Sequence, residues 1–232
     1  MDDRMGGGAD LPIPTATAKP HKRERLGREE RRRQLIDAAV RLIGDSGLRG
    51  TTMSRISAEL GLSEMAAYRH FTSKEELLME ANTYVIERIL AWLGSSSNAW
   101  IMDRLREIGE SHLEMLSADL EMFTSPYLQF LTMTQDEGPL HQHVIANNLR
   151  MKDTIEALIR EGIAQGSIRA DVDPFVFMHE FVSWFLAEDI HCLADLRDGT
   201  FSRTSHSRML ELILADVAGE PAPADAQASE GE

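Results

Sequence analysis

The sequence predicts an all-α chain of about nine helices, with a small three-helix unit at the N-terminal end and a larger helical body behind it. Three observations lead there. Apolar residues recur at three- and four-residue spacing almost everywhere after residue 29. No stretch alternates with a period of two, and no internal repeat is evident. The breaks between periodic stretches are made by glycine, proline and capping serine, threonine or aspartate, which stop and start helices.

Taken in order, residues 1–18 are rich in Gly, Pro and Thr with few apolar side chains, a composition expected to stay disordered. Lys19 to Arg33 then holds eight basic and three acidic side chains, with Lys19, Lys22, Arg23, Arg25 and Arg28 ahead of the first helix. Such a basic arm can follow a phosphate backbone or enter a minor groove, and it can equally be a solvated tail. From about Glu29 to Asp45, Leu35, Ala38, Ala39, Leu42 and Ile43 form one helical stripe, which Ser46-Gly47 should end.

Residues Thr51 to Lys74 carry the most information. Thr51 or Thr52 can cap a second helix over roughly 52–60, in which Ile56 and Leu60 share a face. Gly61 supplies a permissive turn, Leu62 plugs the core, and Ser63 opens a third helix over roughly 63–71 that Phe71 anchors. Ser57, four residues before Gly61, is small where the two helices must cross. This is a helix-turn-helix, the module that lays one helix in the major groove of DNA. Ser73, with Glu76 three residues on, reads as a capping box that starts a long fourth helix. That helix carries Leu77, Leu78, Ala81, Tyr84, Val85, Ile89 and Trp92 and breaks at Gly94 to Asn98.

Thr52, Ile56, Gly61, Leu62, Ser63, Tyr68, His70, Phe71, Lys74, Glu75 and Leu77 stand in the order and spacing of a known DNA-binding head. Over about Arg31 to Ile89 the chain resembles the TetR/AcrR family of bacterial transcriptional regulators. The resemblance implies a homodimer, a head of residues 29–88 and a ligand-binding and dimerisation body of 89–218, with a flexible arm (1–28) before them and a disordered acidic tail (219–232) after. It also implies that Thr52, Tyr68, His70 and Lys74 touch the DNA backbone. By position, Ser63, Glu64, Met65, Ala66 and Ala67 should face base edges, where Met65 and the alanines suit thymine methyls and Glu64 suits a cytosine amine. Glu64 departs from the small or basic residue of many relatives, and either costs affinity or sets specificity. Arg69 is a candidate for guanine or, being near the helix end, for phosphate, and Thr51 and Arg55 complete the candidate DNA-binding set.

Composition fits this class. The net charge of −14 divides into +1 over residues 1–80 and −15 over residues 81–232. The acidic body should repel DNA and leave docking to the N-terminal end. A single cysteine, Cys192, excludes an internal disulfide and fits a reducing cytoplasm. No apolar run approaches the roughly 20 residues a membrane helix needs, and the N-terminus lacks a signal-peptide core. A soluble cytoplasmic protein with no membrane partner is the expectation.

The body should hold five helices, near 99–117, 119–134, 139–165, 173–196 and 203–218. Pro126 falls inside the second and is expected to kink it. Asp173 and Pro174 suit the cap and first position of the fourth. That helix is apolar around most of its circumference, so one face should meet the core and another a second copy of the chain. Met209, Leu210, Leu212, Ile213 and Val217 on the last helix would complete a four-helix dimer contact. Met115, Phe123, Tyr127, Phe130, Met151, Phe177, Phe181 and Trp184 are candidates to line an apolar cavity, although the same residues at helical spacing also serve as ordinary core.

Enzyme and metal chemistry find no support. His141 and His143 lie two apart and do not share a helical face, and there is no H-E-x-x-H, C-x-x-C, phosphate loop or serine elbow. No cofactor and no metal are expected. The reading is a homodimeric repressor that binds a palindromic duplex operator and is released by a small apolar or amphipathic effector. The alternative is a DNA-binding protein with the same head and no inducer, acting as an activator or in chromosome organisation.

Overall fold

The computed structural model describes residues 27–119, 124–133, 138–194 and 199–219. Phe123, the arm cations Lys19, Lys22, Arg23 and Arg25, and the acidic tail beyond Gly219 lie outside these residues. Among the described residues there are nine helices: α1 (Arg28–Gly50), α2 (Met53–Glu59), α3 (Glu64–Ala67), α4 (Lys74–Leu93), α5 (Ile101–Asp119), α6 (Ser125–Leu131), α7 (Pro139–Gln165), α8 (Pro174–Leu193) and α9 (Gly199–Val217). The extended pairing found among them is an isolated bridge between Ile168 and Ala218, which closes the ends of α7 and α9 together.

The N-terminal unit is built as its sequence requires. Leu35, Ala38, Ala39, Leu42 and Ile43 of α1 are buried, and Met53, Ile56, Ala67, Phe71 and Leu77 close the same core from α2, α3, the segment after α3 and α4. The first helix breaks at Gly47, whose φ of 68° lies where side-chain-bearing residues are strained. Its carbonyl accepts from the Thr51 hydroxyl at 2.9 Å. Gly61, with φ of 62°, makes the α2–α3 turn. The buried Ser57 hydroxyl donates to the Met53 carbonyl at 2.7 Å, so it is satisfied at the close crossing.

Three expectations change. The third helix spans only Glu64–Ala67, and Tyr68 to His70 form a turn instead. Phe71 must reach the core, where it is 1% exposed, and the chain leaves helical geometry to bring it there. The capping box is also displaced. Ser73 accepts from the Glu76 N–H at 3.0 Å, but the Glu76 carboxylate accepts from the Thr72 N–H and hydroxyl, both at 2.6 Å. Thr72 offers two donors to one oxygen where Ser73 would offer one. Finally, Pro126 does not kink a helix; it lies in the first turn of α6, where its missing N–H has no bond to lose.

The body packs around α4. This helix runs from the head into the body, lying on α1 and α7, while α6 sits against α1. Asn147 of α7 donates to Asn82 (2.8 Å) and Thr83 (3.2 Å) of α4, and His143 bonds Thr83 at 2.8 Å. Asp173 caps α8, accepting from the N–H groups of Phe175 and Val176, with Pro174 in the first turn. No helix among the described residues is long and apolar enough to cross a membrane.

Candidate nucleic-acid interface and ligand cavity

The exposed edge of the helix-turn-helix is presented by short, well-capped helices. The Thr52 hydroxyl accepts from the Arg55 N–H at 3.2 Å and the Ser63 hydroxyl from the Ala66 N–H at 3.2 Å, each satisfying a donor that the helix start would orphan. From that base Ser63, Glu64 and Met65 project outward, with Met65 70% exposed. Tyr68 and Arg69 follow on the exposed turn, and Ala66 is half-buried.

Two of the residues expected at DNA face inward. Ala67 is fully buried and belongs to the core under α3, one helical step past the outward face. Thr51 is also fully buried and spends its hydroxyl on Gly47. Arg55 is exposed but braced, donating to the Gly50 carbonyl (2.7 Å) and the Ser46 hydroxyl (3.0 Å). Lys74 donates to the Leu48 carbonyl at 3.0 Å, and partial burial holds its ammonium below the usual lysine range.

Charge is concentrated beside the turn after α3. The His70 imidazole is held below its ordinary value, first by burial and then by Arg28, Arg31, Arg32 and Arg69. All four guanidinium groups thus act on His70, and Arg28, Arg31 and Arg69 add positive field suited to phosphate, Arg32 being paired with Glu76 and Glu80. Arg32, which sequence reasoning passed over, fixes this corner. It bonds the His70 carbonyl and Glu80, pairs with Glu76 at 3.6 Å, and lies 4.1 Å over the Phe71 ring. One side chain thus ties α1 to the turn and to α4.

The body holds two adjoining spaces. A small chamber of about 60 Å³ lies between α4, α5, α6, α7 and α8, walled by Ile89, Trp92, Met115, Tyr127, Met151 and Phe185 among others. A groove of about 460 Å³ adjoins it along α6, α7 and α8 and shares Tyr127, Met151, Ile155, Val182 and Leu186 with it. Of the expected lining residues, Met115, Tyr127 and Met151 face the chamber, and Tyr127, Phe130 and Met151 face the groove. Phe181 borders a separate hollow between α4, α5 and α7. Phe177 and Trp184 are buried in an aromatic stack with Phe181, whose ring lies 6.0 Å from the one and 5.9 Å from the other.

Sequence reasoning missed the polar end of the chamber. His112 Nε2 and Asp189 Oδ1 are 3.1 Å apart and both residues are buried. Burial, and then the Asp189 charge, push the Tyr127 hydroxyl well above the usual phenol range. The available signal was an acidic pair, Glu188-Asp189, inside a helix otherwise apolar around most of its circumference. Lys152, His141 and His179 border the outer groove. Among the described residues no group of three or more His, Cys, Asp or Glu could hold a metal ion.

Comparison with known proteins agrees with both halves. Residues 35–81 match the family described as bacterial regulatory proteins, tetR family, and residues 130–203 match the tetracyclin repressor-like C-terminal domain. The chain is 28% identical over 149 residues to the HTH-type transcriptional repressor KstR2 of Mycolicibacterium smegmatis, covering 62% of this chain and 70% of that one. A TetR transcriptional regulator from Chloroflexus aurantiacus superimposes with a TM-score of 0.72 at 22% identity, over 84% of this chain and 98% of that chain. The FadR regulator of Bacillus subtilis, solved with stearoyl-CoA, does so with a TM-score of 0.67 at 19% identity, over 80% and 98%. A capped helix-turn-helix at the residues one model matches, and a helical body at those the other matches, have a single explanation: the chain belongs to the TetR family of bacterial transcriptional regulators.

Proposed function

We propose that this protein is a homodimeric transcriptional repressor that binds a palindromic operator and leaves it when a small apolar or amphipathic molecule occupies the body. The observation that carries the DNA half is the outward face of α3 and the turn after it: Glu64, Met65, Tyr68 and Arg69 are exposed beside His70, whose charging Arg28, Arg31, Arg32 and Arg69 oppose. Base edges are read by the first two and phosphates are held by the others. The division of labour follows the chain, with the head in residues 29–88 and ligand and partner in 89–218.

The second chain docks on α8 and α9. Val176 and Ile190 on α8, and Met209 and Leu212 on α9, remain exposed, while Leu210 and Val217 are already buried within the chain. The partner surface is thus narrower than the sequence alone implies. Small Ser183 and Ala187 lie exposed between Val176 and Ile190 and permit close approach of a second α8. Two heads then read half-sites about one helical turn, roughly 34–36 Å, apart.

Release of DNA travels through α6. Thr124 and Tyr127 line the chamber, and the Ser125 hydroxyl donates to the Gly44 carbonyl of α1 at 3.0 Å. A ligand that lodges beside Tyr127 bears on the helix that bears on the head. It shifts the equilibrium only as far as it prefers one head spacing over the other. The mycobacterial relative is named a repressor and the Bacillus neighbour was solved with stearoyl-CoA, which supports repression and an apolar or amphipathic effector.

The experiment is selection from random duplexes with refolded protein, then footprinting of the best sequence at two salt concentrations. A palindromic footprint that weakens steeply with salt is expected. No enrichment over random DNA would overturn the reading.

A further inference from the structure

Apolar walls usually make an apolar ligand the whole story, but here the small chamber ends on charge. His112 and Asp189 are 1% and 6% exposed, and both line the chamber. His112 Nε2 and Asp189 Oδ1 lie 3.1 Å apart, and a carboxylate in its ionised form accepts from the imidazole N–H there. That contact uses one of the several lone-pair sites of the carboxylate. The His112 ring is clamped 4.4 Å from Phe185 and 5.8 Å from Trp92, and its Nδ1 is buried without a partner among the described residues. The Asp189 charge is felt across the chamber at Tyr127, whose ionisation it opposes together with burial. The positive groups lie at the other end of the site, where Lys152, His141 and His179 border the groove.

We infer that the effector is an apolar molecule carrying a hydrogen-bond donor, a hydroxyl or a protonated amine, at its leading end, and that Asp189, held by His112, receives this donor in the inner chamber while the apolar body fills the groove. This rests on the ligand-responsive reading and sharpens it. At about 60 Å³ the chamber has room for an end group and not for a whole molecule, whereas the 460 Å³ groove takes a long chain or a fused-ring body. A carboxylate leading the way would meet the Asp189 carboxylate in apolar surroundings and exchange its hydration for the Tyr127 and Thr124 hydroxyls at most. Any anionic group on the effector belongs at the groove end, near Lys152.

The test is isothermal titration of the full-length protein with three probes that share one alkyl chain, namely decanol, decylamine and decanoate. Decanol is expected to bind roughly tenfold to a hundredfold tighter than decanoate, the range for one hydrogen bond to a charged acceptor. In Asp189→Asn that preference should vanish. Decylamine stronger than decanol would make the donor cationic, and the reverse would make it a hydroxyl. Equal or tighter binding of decanoate to the unaltered protein overturns the inference, as does failure of all three to bind. The first comparison needs no variant, so misfolding of Asp189→Asn cannot obscure it. Parallel operator footprints separate the two readings. Donor-selective binding without DNA release would count against the effector mechanism alone, and decanoate-driven release would count against the donor site alone.

Discussion

Glu76 does more for the head than its place in a capping pattern requires. Its carboxylate receives the Thr72 hydroxyl and N–H and faces Arg32, and these bonds hold it below the usual glutamate range against a smaller opposing effect of burial. A carboxyl depressed in the folded state adds stability above its unfolded value, near 4.5, and loses it as pH falls through the lower folded value. Melting curves across that interval should show the unaltered protein losing more stability than Glu76→Gln, which keeps the depressed Asp171. Parallel curves for the two would refute the role given to Glu76. At the neighbouring surface, Tyr68→Phe and Lys74→Ala are expected to weaken binding to every duplex, with Lys74→Ala lowering the salt slope by roughly one. Changing Glu64 or Met65 should instead alter which duplex is selected. Lys74 also donates to the Leu48 carbonyl, so its variant needs a melting control before any loss is assigned to phosphate. Unchanged affinity in both backbone variants would remove them from the interface.

Helices and their caps were legible in the sequence wherever the reason for them is local. Thr52, Ser63, Ser73 and Asp173 accept from the N–H groups their positions imply, because a cap needs only its own first turn. The third helix was overestimated because what ends it is distant: Phe71 is drawn under α1 and α4, and Arg32 holds the His70 carbonyl from 38 residues away. Pro126 was misjudged because the start of α6, not its middle, falls there. Ala67 and Thr51 were assigned to DNA from position alone, and a four-residue helix leaves little tolerance in which side faces out. The His112–Asp189 pair spans 77 residues, so the acidic pair in an apolar helix hinted at Asp189 while nothing local pointed to its partner. Close packing between elements was equally hidden. A Cβ on Gly162 of α7 would lie 2.7 Å from Ile168 Cδ1 and 2.9 Å from Ile101 Cγ2, and both of those residues are buried. Gly162→Ala should therefore destabilise the body by about 1–3 kcal/mol despite the better helix former. A denaturant midpoint equal to or above that of the unaltered protein would mean that this packing yields easily.

At the scale of the whole molecule, the proposed assembly rests on Ile190 and Leu212, each 54% exposed. Replacing both with Glu is expected to give monomers by sedimentation and to abolish the palindromic footprint while leaving helix content unchanged. A dimer that survives would move the interface away from α8 and α9. The same scale governs how the head can travel. Asn147 reaches from α7 to Asn82 and Thr83 of α4, with His143 against Thr83, and Asn82 and Asn147 are buried. Apolar surfaces slide over one another smoothly, whereas amides do not. A slip of α4 by a fraction of its rise separates each donor from its acceptor before another comes within reach, and each loss costs about 1–3 kcal/mol. The cluster works as a detent. In the release mechanism proposed above, small pushes from the body would be absorbed and only one large enough to clear the notch would move the reading heads, a response in steps.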